Sequence, residues 1–204
     1  MERKFLHSLF YKVEKDVCIK NCTAGKYRRS EKCQKKCQQT GQEIHGRRSE
    51  ENGENAKENL EFYECIRDIV SHPAVLEMKK YYQHCDTDCY EHCLDVAYNN
   101  YKICKKLGLD ARSAARGGML HDLFLYDWRE HSKKTGDRLH AITHPITAYR
   151  NACKYFHLNK VEKEVITKHM WPVSVIPPRY PETYVICLTD KYCGSREIMD
   201  HYAK

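Results

Sequence analysis

The chain has 204 residues, 41% hydrophobic and 31% charged, which suits one globular domain of ordinary size with or without a tail. No apolar run approaches the roughly 20 residues of a membrane-spanning helix, and the apolar run near the N-terminus is too short for a secretory signal, so a soluble, cytoplasmic protein with no membrane partner is expected. The formal charge of +7 concentrates within residues 1–60, where a basic excess serves either a polyanion or nothing more than a solvated tail.

Residues 1–20 carry a weak amphipathic pattern of Phe5, Leu6, Leu9, Phe10 and Val13, and residues 21–58 are polar. The stretch R-R-S-E-E-N-G-E-N-A-K-E-N, residues 47–59, lacks the apolar surface to fold alone and reads as a linker. The expected division is a basic, Cys-rich segment with linker over 1–58, poorly ordered or small and helical, and a helical domain over 59–204.

From Leu60 the pattern turns helical. Phe62, Cys65, Ile66, Ile69 and Val70 share one face of a first helix. Pro73 starts a second, short helix through Val75, Leu76, Met78, Tyr81 and Tyr82. Asp86 or Thr87 caps a third, which runs through Leu94, Val96, Ala97, Tyr101 and Cys104 to Gly108. Asp110 caps a fourth, expected to continue through G-G-M-L-H-D-L-F-L-Y-D-W, residues 117–128. Pro145 begins a fifth, and a sixth spans 161–170 and stops at Pro172. V-S-V-I-P-P-R-Y-P is a stiff connection, and 182–202 reads as a last helix interrupted near Gly194. Strands are scarce and no internal repeat is present, so the fold class is all-α.

Twelve cysteines would indicate disulfides in a small secreted protein. Without an export signal, Cys65, Cys104, Cys153 and Cys187, each among apolar neighbours, read as reduced core thiols. Cys18-x3-Cys22 and Cys33-x3-Cys37 are compatible with one zinc, with two disulfides, or with free thiols. Cys85, Cys89 and Cys93 recur every four residues around His92, and either pack beneath a site or form a redox-sensitive cluster.

His92, the adjacent His121 and Asp122, His144, His169 and Asp190 are polar residues set in apolar helical contexts. Burying each separately is costly, whereas a shared cation offers all of them a charge partner. Imidazoles with carboxylates and no thiolate suit Fe, Mn, Co, Ni or Zn rather than Ca.

The order H…HD…H…H…D resembles the HD-domain superfamily of metal-dependent phosphohydrolases over roughly residues 60–200. Y-E-H-C-L-D-V-A, A-A-R-G-G-M-L-H-D, T-H-P, K-H-M-W-P and L-T-D-K-Y follow in the family's order. The resemblance implies an all-α HD-domain helical bundle with a dinuclear metal centre. In it, His92, His121, Asp122 and Asp190 would hold one ion, and His144 and His169, with Asp122 bridging, a second. It implies hydrolysis of a phosphomonoester or phosphodiester, of a nucleotide-like substrate, by metal-activated hydroxide. Leu125 stands where some nucleotidase members carry a catalytic Glu, and the Gly-Tyr-Pro signature of the cyclic-di-GMP-cleaving branch is missing.

Around this centre, Lys191 and Arg138 are candidate phosphate-gripping catalytic residues beside Asp122. His140, close to Arg138, and His84 are further candidates near the site, and Arg179 and Tyr180 for a pocket rim. Asp127 either orients a ligand or caps a loop. Two competing functions are a catalytically silent module that binds a nucleotide as a sensor, and nucleic-acid binding through the basic N-terminal segment.

Overall fold

The computed structural model describes the backbone of residues 51–128, 130 and 139–203, without the side chains of 51–56, 84 and 140. The expectations for the segment 1–50, its Cys-x3-Cys pairs and Arg138 lie outside these residues, as do those for the side chains of His84 and His140.

Helix α1 spans Glu51–Val70, so the helix starts well upstream of the apolar pattern and takes in most of the stretch that composition assigns to a linker. Elongating a helix is far easier than nucleating one, and Glu, Ala and Lys are good helix formers. Its C-terminal half buries Phe62, Ile66, Ile69 and Val70. Pro73 begins α2, Pro73–Leu76, which tightens into a 3-10 turn over Glu77–Lys80 instead of continuing through Tyr82.

Tyr82–His84 and Thr87–Asp88 then pair antiparallel as β1 and β2, a small hairpin that the helical periodicity hides. Because Asp86 and Thr87 fall in this hairpin, the cap of the next helix moves to Asp88, whose carboxylate accepts from Glu91 N at 2.8 Å. Helix α3, Cys89–Lys106, follows, and Gly108 ends it with φ +69°, the left-handed conformation expected there.

Asp110 caps α4, Ala111–Leu120, accepting from Ser113 N at 2.9 Å. The helix stops at Leu120 rather than running to Trp128: residues 121–124 turn, and Leu125 has φ +59°. Asn151 satisfies a carbonyl released by this break, donating from Nδ2 to Leu123 O at 2.9 Å.

Helix α5, His140–Tyr155, has Pro145 inside it rather than at its start. Proline's fixed φ fits a helix, at the cost of one N–H bond and of crowding between its ring and the carbonyl four residues back. Helix α6, Lys160–Lys168, begins with a capping box between Asn159 and Glu162. Helix α7, Pro181–Tyr202, is continuous through Gly194, so the expected interruption does not occur. Among the described residues no helix is long and apolar enough to cross a membrane.

Residues Leu60–Lys204 form one packed unit, in which α3 lies chiefly against α4 and α7, and α6 touches α4, α5 and α7. The α3–α4 crossing is close because of Gly118: a Cβ there would lie 2.9 Å from Ala97 Cα. Arg116 ties three helices together. Its Nε donates to Glu162 at 2.8 Å and its terminal nitrogens to Asp68 at 2.6 and 3.0 Å. The described cysteines are free thiols; Cys104 and Cys187 are buried and Cys65 is half-buried. Cys153 is exposed, a correction to its core assignment, since the buried face of α5 is occupied by Ala148 and Ala152 instead.

The stiff Pro-rich connection is held by Glu164. This buried carboxylate accepts from Arg179 N at 2.6 Å, Tyr180 N at 2.8 Å and Lys168 Nζ at 3.1 Å. Burial alone would raise its pKa, but these donors outweigh it and hold it below the ordinary value. Glu164→Ala is expected to lower stability by about 2–3 kcal/mol, the range for charge-assisted bonds lost from a buried site. Because the folded pKa is depressed, this contribution is present above the unfolded carboxyl's pKa and is lost as pH falls through the folded value. Urea unfolding of both proteins between pH 7 and pH 3 measures it, and a gap that stays constant would show that the charge is not what matters.

Candidate metal centre

The helix crossings bring all six sequence-expected residues to one place. His92 projects from the first turn of α3, His121 and Asp122 from the turn that ends α4, and His144 from α5. His169 caps the C-terminus of α6, and Asp190 lies at mid-length on α7. The four imidazoles and Asp122 are each at most 5% exposed.

Their ligand-type atoms lie within hydrogen-bonding or ion-pairing distance of one another. His92 Nε2 lies 3.2 Å from Asp190 Oδ1. His121 Nε2 is 3.4 Å from Asp122 Oδ2 and 3.7 Å from Asp190 Oδ1. Asp122 Oδ1 is 3.3 Å from His144 Nε2 and 3.7 Å from His169 Nε2, and the last two nitrogens are 2.8 Å apart. Two triads, His92–His121–Asp190 and His121–Asp122–His169, each have ligand atoms within 4.8 Å of one another.

The outer edges of the rings fix which nitrogen faces inward. His121 Nδ1 is 2.7 Å from Gly118 O, and His169 Nδ1 is 2.9 Å from Ile166 O. Only an N–H can make those contacts, so in the neutral ring each Nε2 keeps its lone pair and turns it to the centre. His92 Nδ1 is held in the same way, 3.1 Å from both carboxylate oxygens of Glu197. Lone pairs and carboxylate oxygens therefore converge in a buried space, and His121 Nε2 and Asp122 Oδ1 have no hydrogen-bond partner there. A donor set of this kind is satisfied by cations, and these residues fit divalent transition-metal ions.

The imidazoles and carboxylates of the cluster shift one another's titration. Burial works against a charged His92, but the carboxylates of Asp190 and Glu197 outweigh it and raise its pKa well above the ordinary value. His121 is raised in the same sense by Asp122 and Asp190 against burial. His169 goes the other way: burial, reinforced by the His121 and His144 imidazoles, lowers it to about 3. Burial would raise the carboxyls of Asp122 and Asp190, yet the surrounding imidazoles hold both well below the carboxylate range.

A cleft of ≈ 350 Å³ opens onto this cluster. Asp122, His144, His169 and Asp190 form its polar floor, and Trp128, Met170 and Ile198 contribute apolar wall. Lys191 also lines it, with its ammonium tethered to Cys187 O at 3.0 Å. Arg179 and Tyr180 are not among the residues that line this cleft; their backbone N–H groups donate to Glu164. Asp127 caps a turn, accepting from Glu130 N at 3.4 Å. Cys89 and Cys93 are buried beside the cluster, with Cys89 Sγ 3.4 Å from Asp122 O and Cys93 Sγ 3.6 Å from His121 Nδ1. They also lie close enough to Asp122 for the three to share a cation.

Two residues of the site escaped the sequence reading. Glu197 stands seven positions after Asp190, two helical turns along the same face, and that spacing was its only signal. Gln83, which donates to Asp122 Oδ2 at 2.6 Å, gave none.

A helical bundle with a buried His–Asp cluster at the foot of a cleft is the class that fold and site define. The HD domain family model matches residues 89–193, just over half the chain and a span that contains all six clustered residues. The chain belongs to the HD domain family. No curated protein and no solved structure matches it.

Proposed function

We propose that the protein is a metal-dependent phosphohydrolase that cleaves a phosphomonoester or phosphodiester of a small, nucleotide-like substrate. The observation that carries this reading is the convergence of imidazole lone pairs and two carboxylates on one buried point, with His121 Nε2 and Asp122 Oδ1 left unpaired. His92, His121, Asp122 and Asp190 would hold one ion, and His144, His169 and Asp122 the other. Two divalent cations bound there would polarise phosphate oxygens and lower the pKa of a water between them.

The chain's own residues do the rest. Glu197 orients the His92 ring from outside, as second partners of metal-binding histidines do. Lys191 reaches the cleft as a cation suited to a phosphate oxygen, and Arg138 is a second candidate for the same grip. Trp128, Met170 and Ile198 give the non-phosphate part of the ester an apolar wall, which excludes water from that side of the reaction.

The test is metal analysis of the purified chain combined with a panel of phosphate mono- and diesters. The expected result is hydrolysis of at least one nucleotide-like ester that a chelator abolishes and added Mn or Fe restores. Lys191→Ala should lower kcat/KM and leave bound metal unchanged. A metal-loaded protein that releases no phosphate from any ester, yet binds a nucleotide tightly, would replace this reading with that of a sensor module.

A further inference from the structure

Gln83 lies outside the span that matches the family model, in the middle of β1. The β1–β2 register shifts between Tyr82 and His84, so Gln83 is the extra residue of a bulge. Bulges re-aim the side chain they carry. Here the side chain crosses to the turn after α4, where Nε2 donates to Asp122 Oδ2 at 2.6 Å, and it lines the cleft. The other end of the amide, Oε1, is buried with no hydrogen-bond partner. Leaving a buried acceptor unmet costs on the order of 1–3 kcal/mol. Turning the amide over would set its oxygen against a carboxylate oxygen, so the orientation with the donor on Asp122 is the one that chemistry permits.

We infer that Gln83 is a positioning residue for Asp122, and this inference rests on the metal-centre reading above. Its single donor holds Oδ2 on the side facing His121 Nε2, 3.4 Å away, which leaves Oδ1 turned to His144 and His169, 3.3 and 3.7 Å away. A neutral amide sets the rotation of the carboxylate without neutralising its charge, as a lysine would. The consequence is asymmetric. The His92–His121 side has a second carboxylate in Asp190, whereas among the six clustered residues the His144–His169 side has Asp122 alone. Loss of the Gln83 donor therefore falls mainly on the His144–His169 side.

The experiment is a titration of the full chain with Mn2+, following free Mn2+ by electron paramagnetic resonance, for wild type and Gln83→Met. Methionine keeps the length and flexibility of the side chain and lacks the donor; Gln83→Ala is the second variant should the first unfold, with thermal melts as the check. Two ions are expected on the wild type. In the variant one of them should bind about 10–100-fold more weakly, the range for lost outer partners of metal ligands, with the other unchanged. Raised Mn2+ should restore kcat while KM for the ester stays as in the wild type. Unaltered Mn2+ affinities overturn the proposal, and so does a raised KM with unaltered affinities, which would make Gln83 a substrate contact. A wild-type chain that binds no Mn2+ overturns the metal-centre reading itself, a result distinct from failure of the Gln83 inference alone.

Discussion

Replacing Asp122 by alanine is expected to bring hydrolysis down to background and strip most of the bound metal while the helical fold persists. Among the six clustered residues, Asp122 is the one whose two oxygens face both halves of the cluster, with Oδ1 near His144 and His169 and Oδ2 near His121. Among those six residues, its removal leaves the His144–His169 side with no carboxylate and the other side with Asp190, and imidazoles alone supply no negative charge to offset a divalent cation. Asp122 sits in a turn after α4 rather than in a helical hydrogen-bond ladder, and Gln83 Nε2 is the non-histidine side-chain donor it releases. Helical circular dichroism should therefore survive. Elemental analysis, turnover and circular dichroism on one preparation decide the matter; near-normal turnover in this variant would end the dinuclear reading.

A second large effect, on stability, is expected at the α3–α4 crossing. An added Cβ at Gly118 meets Ala97 Cα at 2.9 Å and Ala97 N at 3.2 Å, and backbone cannot rotate out of the way as a side chain can. Gly118→Ala should cost about 1–3 kcal/mol through overpacking and lower Tm by several degrees in a domain of this size. Because α3 carries His92 and α4 ends at His121, separating the helices should also weaken metal binding. At Gly117 the clash is with a side chain instead, with Val165 Cγ1 at 2.5 Å and with its Cβ, which an alanine would keep, at 2.7 Å. Gly117→Ala should therefore be partly rescued by Val165→Ala, whereas Gly118→Ala should gain nothing from it. Thermal melts of the single and double variants test this; equal behaviour of the two glycines would show that the crossing yields more readily than its geometry implies.

What could be read from the sequence is what covalent order and helical period control. The Asp110 cap, the Gly108 stop and the all-α class follow from local chemistry, because a cap bonds within three residues and a left-handed stop needs one glycine. The six clustered residues were legible for a different reason: each is a costly polar group in an apolar run, and their order matches a family pattern.

Tertiary structure decided the rest, because it concerns groups far apart in the chain. Glu197 reaches His92 across 105 positions, and Gln83 reaches Asp122 across 39. Neither pairing has a period that a sequence window can contain. The extent of α4 was also a tertiary matter: the run from Gly117 to Trp128 is apolar enough for a buried helix, yet the chain turns at His121. Asn151 of α5 takes up a carbonyl freed there, and the turn points Asp122 at the cluster. Residue types and order thus specified which groups would meet, while the close helix crossing at Gly118, the bulge at Gln83 and the turn after Leu120 decided how they face one another.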